Sequence, residues 1–274
     1  MSVADTNWSE DLARYLYETG EDSFYTMKYF ETIDSTNEGI KRAAAEGASE
    51  GLVYVGEEQT AGKGRLGRKW VSPAGEASYF SFLLRPKFSA EHVAPLTLVM
   101  GLSVAEAVQE TVMLPVEIKW PNDIVIHGKK ICGILTEAGL GSNGLMDYVV
   151  IGIGINVNNK SFDPSIADRA TSLKLEWGGR DVSRALVTAA SLKYFHRNYV
   201  KYCETEDLSG LIKDYNYLLA SRDKQVRIED PKGPYTAISR GIDKDGSLIV
   251  DLPDGTERKI ATGEVSVRGI YGYV

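Results

Sequence analysis

The chain has 274 residues, of which 43% are hydrophobic and 25% are charged, the proportions of a globular protein with a substantial core. Its formal net charge of −7 argues against a general attraction to polyanions, so binding to DNA would need a local basic face. The sequence shows no secretory leader, no CxxC pair and no run of about 18 uncharged apolar residues. We therefore expect a cytoplasmic protein with no membrane partner.

The first half of the chain alternates helical and extended segments. Its apolar spacing predicts a helix over residues 1–22, a strand over 25–30, a helix over 35–47, strands over 52–57 and 78–84, and a helix over 90–111. Ser35 and Glu38 match a capping box, in which two side chains satisfy the free N–H groups at a helix N-terminus. We therefore expect both side chains to cap the second helix.

The second half also begins with strands and helices, but it ends in short segments that alternate apolar and polar residues. The pattern predicts a strand, a tight turn and a second strand over 117–137, a strand over 147–155, and helices over 183–203 and 208–220. From about residue 224, five short alternating segments are separated by turns that include two Asp-Gly dipeptides, which are typical of hairpins. We therefore divide the chain into a domain over 1–222, whose residues 1–24 are a short extension, and a small β-barrel over 223–274.

Two glycine patterns match known motifs but lack their structural context. Gly62, Gly64 and Gly67 match the dinucleotide-binding GxGxxG pattern, yet the residues that follow cannot begin a crossover helix. Residues 47–51 match the GxSxG pattern of hydrolases, but here it joins a helix to a strand, and the hydrolase turn joins a strand to a helix. We assign neither pattern a function.

The segment QTAGKGRLGRKW, residues 59–70, places four cations among three glycines in an otherwise acidic chain. Glycines let a backbone approach a ligand closely, and the cations Lys63, Arg65, Arg68 and Lys69 suit phosphate or carboxylate oxygens. A solvated basic surface loop explains the same composition about equally well. Taken alone, this segment leaves the choice between a binding loop and a surface loop open.

Three further segments are informative only together. In KWPNDIVIHGKKICGILTE, residues 119–137, a proline turn presents Asn122 and Asp123 at a strand end. GIGINVN, residues 152–158, reads as a strand that ends in amides, and DSTN, residues 34–37, reads as a helix cap. An ordinary turn, a strand end and a cap account for each of these segments when it is taken alone.

In their order and spacing, these four segments resemble biotin protein ligases. ATSL at residues 170–173 and the late SRGID and GEVSVR segments also match, so the resemblance covers about residues 25–270. It implies an α+β fold, in which a mixed sheet flanked by helices, like that of class II aminoacyl-tRNA synthetases, is followed by an SH3-like β-barrel. It also implies an ATP-dependent ligase that converts biotin to biotinyl-5'-AMP and transfers biotin to a lysine of a biotin carboxyl carrier protein.

The resemblance also implies roles for particular residues. Lys130 and Arg65 are the expected catalytic residues, because the biotin carboxylate and the α-phosphate of ATP are two anions that must meet. The expected biotin contacts are Ser35, Thr36, Gln59, Lys63, Lys130 and Gly133. The expected ATP contacts are Arg65, Arg68, Trp70, Asn122, Asn156 and Arg268, and the expected Mg²⁺ ligand is Asp123. Lys63 stands where the family usually has arginine, which keeps the charge but loses the bidentate fork.

Two other functions fit parts of the pattern. Lipoate ligases share the fold and the adenylate chemistry, but they lack a basic glycine loop of this kind. A non-catalytic biotin sensor or repressor is the second alternative, and the presence of Lys130 argues against it. The residues before the predicted catalytic domain are too few for a winged helix, so we expect no DNA partner. The sequence leaves a homodimer open.

Overall fold

The computed structural model describes residues 7–141, 146–261, 266–269 and 273–274, and its architecture is α+β. The helices are α1 (Trp8–Thr19), α2 (Thr36–Ala45), α3 (Leu96–Val112), α4 (Leu173–Glu176), α5 (Arg184–Thr205) and α6 (Ile212–Leu218). The strands are β1 (Thr26–Ile33), β2 (Leu52–Gln59), β3 (Ala77–Leu84), β4 (Val116–Lys119), β5 (Asp123–Ile126), β6 (Lys129–Leu140), β7 (Met146–Asn156), β8 (Gln225–Glu229), β9 (Tyr235–Ile242), β10 (Leu248–Asp251), β11 (Glu257–Ile260) and β12 (Ser266–Gly269).

Seven strands form the larger sheet, in the order β1-β2-β3-β7-β6-β5-β4. β1 and β2 are parallel because helix α2 connects them as a crossover, and every other neighbouring pair is antiparallel. β3 is buried along its whole length, as expected for a central strand that is covered on both faces. One face of the sheet packs against α3 and α5, and the other face carries α2.

The longest apolar segment lies in the core. Ala90–Val112 has a length and composition that would allow it to cross a membrane, but 78% of its apolar window is buried inside the fold. α3, which forms most of this segment, packs against α5 and against β4, β5 and β6. This burial identifies it as a core helix. α1 also packs on α5 through Trp8, Leu12 and Leu16, so the described part of the predicted extension adds to the same core.

The C-terminal strands form a separate five-stranded antiparallel sheet, in the order β11-β10-β9-β8-β12. All five lie where the alternating pattern predicts strands. Gly246 and Gly255 in the predicted turns have φ angles of 80° and 84°, the left-handed conformation that glycine adopts without strain. The predicted α+β class is therefore confirmed. Closure of the small sheet into a barrel stays a prediction, because β11 and β12 are not paired within the described part of the chain.

The structure corrects two local predictions. Ser35 is the N-cap of α2, but its side chain makes no capping hydrogen bond to any described residue. Glu38 does not reach back to the helix start, because its carboxylate binds Lys41 and Lys63 at 2.8 and 2.7 Å.

The first predicted strand of 117–137 is two strands, β4 and β5, which a proline turn joins. Helix α4 has no counterpart among the predicted helices.

Candidate active site

The face of the larger sheet that carries α2 also carries a cavity. The cavity lies beside the N-terminus of α2 and under the loop that follows β2, and β6 and β7 form its floor. Its lining residues are Ser35, Thr36, Asn37, Gln59, Lys63, Gly64, Arg65, Trp70, Asn122, Lys130, Gly133, Ile134, Leu135, Gly152, Ile153 and Gly154. Every one of them belongs to one of the four segments singled out in the sequence. The fold therefore brings these four segments to one place.

Glycines form the floor of the cavity. Gly133 on β6 and Gly154 on β7 are register partners, and the Trp70 indole lies on both. A Cβ atom on Gly154 would lie 2.6 Å from Trp70 Nε1, and one on Gly133 would lie 3.0 Å from Trp70 Cζ3. Gly152 faces Asn37 in the same way. The indole N–H of Trp70 is buried and has no hydrogen-bond partner among the residues that the structure describes.

Lys130 reaches the cavity because strand β6 has a bulge. In a regular strand, residues 130 and 133 would face opposite sides of the sheet. The register between β5 and β6 shifts at this point and leaves Ile131 as an extra residue, so Lys130 and Gly133 both face the cavity. The Lys130 Nζ atom lies 2.5 Å from Asp123 Oδ1 and 5.2 Å from the centre of the Trp70 ring.

Asp123 is a buried carboxylate among cations. In addition to Lys130, it has Lys119 Nζ at 3.9 Å and accepts a hydrogen bond from the phenol of Tyr273. Burial raises the pKa of Asp123, but the two ammonium groups outweigh burial and hold this pKa below its ordinary value. Burial also lowers the pKa of Lys119 to about 8, against the attraction of Asp123. The carboxylate therefore fixes the positions of two ammonium groups beside the cavity.

Lys119 and Tyr273 are site residues that sequence reasoning missed. Lys119 is the first residue of KWPND, four residues before Asp123. Its place in that segment could have indicated a role in the site. Nothing in the sequence indicates Tyr273, because only the tertiary fold brings its ring to within 3.9 Å of the Lys119 ammonium.

Arg65 lies at the edge of the cavity, in a loop that folds as a narrow hairpin. The backbone N–H of Gly64 donates to the carbonyl of Arg68 at 2.7 Å across this hairpin. Arg65 Nη1 donates to Asn122 Oδ1 at 2.7 Å. Burial lowers the pKa of Arg65, and the negative charge of Asp123 opposes this change. The basic loop is therefore tied to the turn before β5 by a bond between two predicted ATP contacts.

Ser35, Thr36 and Gln59 form one wall of the cavity. Gln59 Oε1 accepts hydrogen bonds from the backbone N–H of Thr36 at 2.9 Å and from its hydroxyl at 3.1 Å. Gln59 Nε2 donates to Ser72 Oγ at 2.9 Å. The hydroxyl of Ser35, which makes no capping bond to a described residue, lies in the same wall. Ordered polar groups that can fix the orientation of a ligand are typical of a small-molecule site.

Two predicted contacts lie on the solvent side of the cavity. Lys63 Nζ binds Glu38 Oε1 at 2.7 Å, and its side chain is half exposed. Arg68 is exposed in the same loop. A half-exposed ion pair of this kind is weak, so Lys63 can exchange its partner for a ligand at little cost.

Four of the predicted site residues lie outside the set of cavity-lining residues: Arg68, Asp123, Asn156 and Arg268. Asn156 is buried, and its Nδ2 donates to the carbonyl of Thr171 at 3.1 Å, next to the backbone of Lys130. Arg268 is exposed on β12, and its charge lowers the pKa of Lys119. The C-terminal sheet therefore adds positive potential to the site.

Comparisons with known proteins identify the family. A model of the biotin/lipoate A/B protein ligase family matches residues 29–156, and a model of the biotin protein ligase C-terminal domain matches residues 223–268. The bifunctional ligase/repressor BirA of Bacillus subtilis is 32% identical over 241 residues, which are 87% of this chain and 73% of that protein. The biotin–[acetyl-CoA-carboxylase] ligase of Mycobacterium tuberculosis is 31% identical over 239 residues, 84% of this chain and 85% of that protein. This chain therefore belongs to the biotin/lipoate A/B protein ligase family.

Structural similarity leads to a narrower class within that family. The Aquifex aeolicus biotin protein ligase in complex with biotin and ATP has a TM-score of 0.78 to this chain at 35% identity, with 90% of this chain and 100% of that chain covered. The apo form of the same ligase has a TM-score of 0.73 at 31% identity. The resemblance to biotin protein ligases that the sequence motifs indicate is confirmed.

Proposed function

We infer that the chain is an ATP-dependent biotin protein ligase, which adenylates biotin, releases pyrophosphate and transfers biotin to a lysine of a biotin carboxyl carrier protein. One observation supports this function above the others. Lys130 and Arg65 come from distant segments and line one glycine-floored cavity. Two fixed cations suit a reaction in which two anions must be brought together, because orientation and electrostatic stabilisation dominate such a barrier.

The reaction has two steps. The biotin carboxylate attacks the α-phosphorus of ATP, a new P–O bond forms, and the bond to the β-phosphate oxygen breaks as pyrophosphate leaves. Lys130 is held by Asp123 and Arg65 by Asn122, so both cations can stabilise the growing negative charge without reorganising. In the second step, the neutral amine of the carrier lysine attacks the biotinyl carbonyl, AMP leaves with the bonding electrons, and the amine gives up a proton.

The proposed ligand contacts follow the geometry of the cavity. We place the biotin ring system against the wall of Ser35, Thr36 and Gln59 and over Gly133, with Lys63 and Lys130 towards the carboxylate. We assign ATP to Arg65, Arg68, Trp70, Asn122, Asn156 and Arg268. Trp70 lies on the glycine floor, so an entering ring system must stack on the indole or displace it.

Mg²⁺ is proposed as the counter-ion of ATP. Asp123 does not fit a metal site in this arrangement, because its oxygens already bind Lys130 and Tyr273, and Lys119 lies 3.9 Å away. The described residues contain no group of three His, Cys, Asp or Glu side chains that could hold a metal ion. Asp123 instead positions the cations on which the reaction depends.

The direct test is incubation of the chain with ATP, Mg²⁺, biotin and a biotin carboxyl carrier domain, followed by mass spectrometry of the carrier. A mass increase of one biotinyl group is expected, and none is expected with lipoate. Biotin-dependent exchange of labelled pyrophosphate into ATP separates an enzyme from a biotin sensor. An unmodified carrier together with no exchange would contradict the proposed function.

Arg65→Ala is expected to release biotinyl adenylate into solution faster than the wild-type chain. The mutation removes the bond to Asn122 that ties the basic loop over the cavity, and it removes one cation from the phosphate. Rapid filtration of radiolabelled adenylate measures the effect. Lys69→Ala is the matched control, because Lys69 is an exposed cation of the same loop outside the cavity. Equal retention by the two variants would contradict the role of Arg65.

Tyr273→Phe is expected to raise the KM for ATP about fivefold with little change in the KM for biotin. The substitution keeps the ring beside Lys119 but removes the phenol that donates to Asp123. Steady-state pyrophosphate exchange at varied ATP and varied biotin measures both constants. A variant that changes both KM values equally would show a general structural role for Tyr273.

The cellular setting of the chain is part of the same proposal. We propose a cytoplasmic enzyme whose carrier belongs to a biotin-dependent carboxylase or decarboxylase. We also propose that it binds no DNA, since its net charge is −7. A gel-shift assay tests the absence of DNA binding, and light scattering tests for a homodimer.

A further inference from the structure

The backbone of Lys130 is held on one side by a segment outside the larger sheet. Strand β7 pairs with β6 only as far as Cys132, and at Lys130 the segment around Ala170 takes the place of β7. The backbone N–H of Lys130 donates to the carbonyl of Arg169 at 2.8 Å, and its carbonyl accepts from the N–H of Thr171 at 2.9 Å. This segment belongs to the connection between β7 and α4, so its position depends on bonds to other parts of the fold.

Thr171 makes three of these bonds. It is 3% exposed and lies in the ATSL segment, to which the cavity assigns no role. Its N–H donates to Lys130, its carbonyl accepts from Asn156 Nδ2 at 3.1 Å, and its hydroxyl donates to Glu176 Oε1 at 2.7 Å. One buried threonine therefore supports both the expected catalytic lysine and a proposed ATP contact.

Glu176 is the partner that fixes the Thr171 side chain. It is the last residue of α4, and its side chain is 17% exposed. A hydroxyl that donates to a carboxylate makes a stronger bond than one that donates to a neutral group. The other carboxylate oxygen lies 2.7 Å from His127 Nδ1, in the turn between β5 and β6. Glu176 does not line the cavity, so any effect on the reaction must act through Thr171 or through His127.

We propose that Glu176 is a positioning residue for the adenylation step. By holding the Thr171 hydroxyl, it fixes the segment that supports the backbone of Lys130 and the side-chain amide of Asn156. A small displacement of a group that orients the reactants lowers the rate strongly, because the reaction depends on their alignment. This inference rests on the proposed function, since it gives Glu176 a part in the same reaction.

Glu176→Ala is expected to lower the maximal rate of biotin-dependent pyrophosphate exchange about tenfold, the ratio that corresponds to one lost hydrogen bond. The KM for ATP is expected to rise, because Asn156 is bonded to the carbonyl of the loosened segment. The KM for biotin is expected to stay nearly unchanged, because none of these bonds involves the wall of Ser35, Thr36 and Gln59. A residue that only supported the fold would change all three constants together.

Variants of Thr171 test whether Glu176 acts through the hydroxyl. Thr171→Val keeps the shape of the side chain and removes the bond, so the same loss of rate is expected. Thr171→Ser keeps the hydroxyl and is expected to retain nearly the wild-type rate. The double variant of Thr171→Val and Glu176→Ala is expected to lose no more than either single variant, because all three lack the same bond.

Two control variants separate this route from other effects of α4. Lys174 lies on the same helix with the same 17% exposure of its side chain, but it pairs with Asp181 at 2.6 Å. Lys174→Ala is therefore expected to leave the exchange kinetics unchanged. His127→Asn removes the other partner of Glu176, and asparagine tolerates the φ angle of 48° at this turn. It is also expected to leave the rate nearly unchanged.

Exchange kinetics of the wild type and all variants, together with their thermal unfolding, distinguish the outcomes. If Glu176→Ala does not fold, Thr171→Val and Thr171→Ser decide the question, and a wild-type rate in Thr171→Val overturns the inference. Losses that multiply in the double variant would overturn it too, as would a loss in His127→Asn equal to that in Glu176→Ala. A wild-type chain without exchange would remove the proposed function together with the inference. An active wild type with an equally active Glu176→Ala variant would remove the inference alone.

Discussion

Replacing Lys130 with methionine is expected to lower the rate of biotinyl-adenylate formation by about 10²- to 10³-fold, the usual effect of removing one preorganised group that stabilises a transition state. The bulge in β6 aims Lys130 into the cavity, and Asp123 holds its ammonium at 2.5 Å. Methionine keeps much of the side-chain volume but has no charge to place between the carboxylate and the phosphate. Initial rates of biotin-dependent pyrophosphate exchange measure the loss.

Lys129→Met is the control for this prediction. Lys129 is the preceding residue of the same strand, is exposed and does not line the cavity, so its replacement is expected to leave the rate unchanged. Thermal unfolding of both variants shows whether the loss of the Asp123 ion pair has also destabilised the fold. If Lys130→Met retains more than a tenth of the wild-type rate, Lys130 does not have the catalytic role proposed for it.

Gly152→Ala is expected to weaken biotin binding by at least tenfold and to destabilise the fold by about 1–3 kcal/mol, the usual range for overpacking a filled interior. A Cβ atom on Gly152 would lie 1.8 Å from Asn37 Oδ1, a distance that no rotamer of a buried asparagine can relieve without loss of its bonds. Asn37 accepts a hydrogen bond from Ser81 on β3 and donates one to Glu137 on β6, and it must then release one of them, so the cavity wall loses its order. Calorimetric titration with biotin and thermal unfolding measure the two effects.

Gly101→Ala provides the contrasting control. Gly101 is a buried glycine of α3, and the atoms nearest to an added Cβ lie at 3.8 Å, which is ordinary van der Waals contact. The same methyl group is expected to be tolerated there and to favour the helix. Equal losses of biotin affinity in Gly101→Ala and Gly152→Ala would show that the effect of Gly152 does not arise from Asn37.

Much of the fold follows from local patterns in the sequence. The alternating segments and Asp-Gly turns after residue 224 predict all five strands of the small sheet. The spacing of apolar residues predicts α3 and α5, because both helices bury at least half of their residues in one core. The segment over residues 117–137 shows the limit of this approach, since a single bulge at Ile131 decides which side chains face the cavity.

The site was less accessible to prediction than the fold. The capping box at Ser35 was wrong because tertiary contacts compete for its second member: Glu38 pairs with Lys63 from the basic loop. Tyr273 was missed because its contact with Asp123 joins residues 150 positions apart.

The bond between Tyr273 and Asp123 has a practical consequence for handling the protein. A purification tag fused after Val274 would follow Tyr273, whose side chain contacts Asp123, by one residue. A tag that displaced Tyr273 would therefore disturb the carboxylate that holds Lys119 and Lys130. A tag attached before α1 joins the chain at a helix that packs on α5, on the far side of the sheet from the cavity. Enzyme prepared for kinetic work should therefore carry its tag at the amino end.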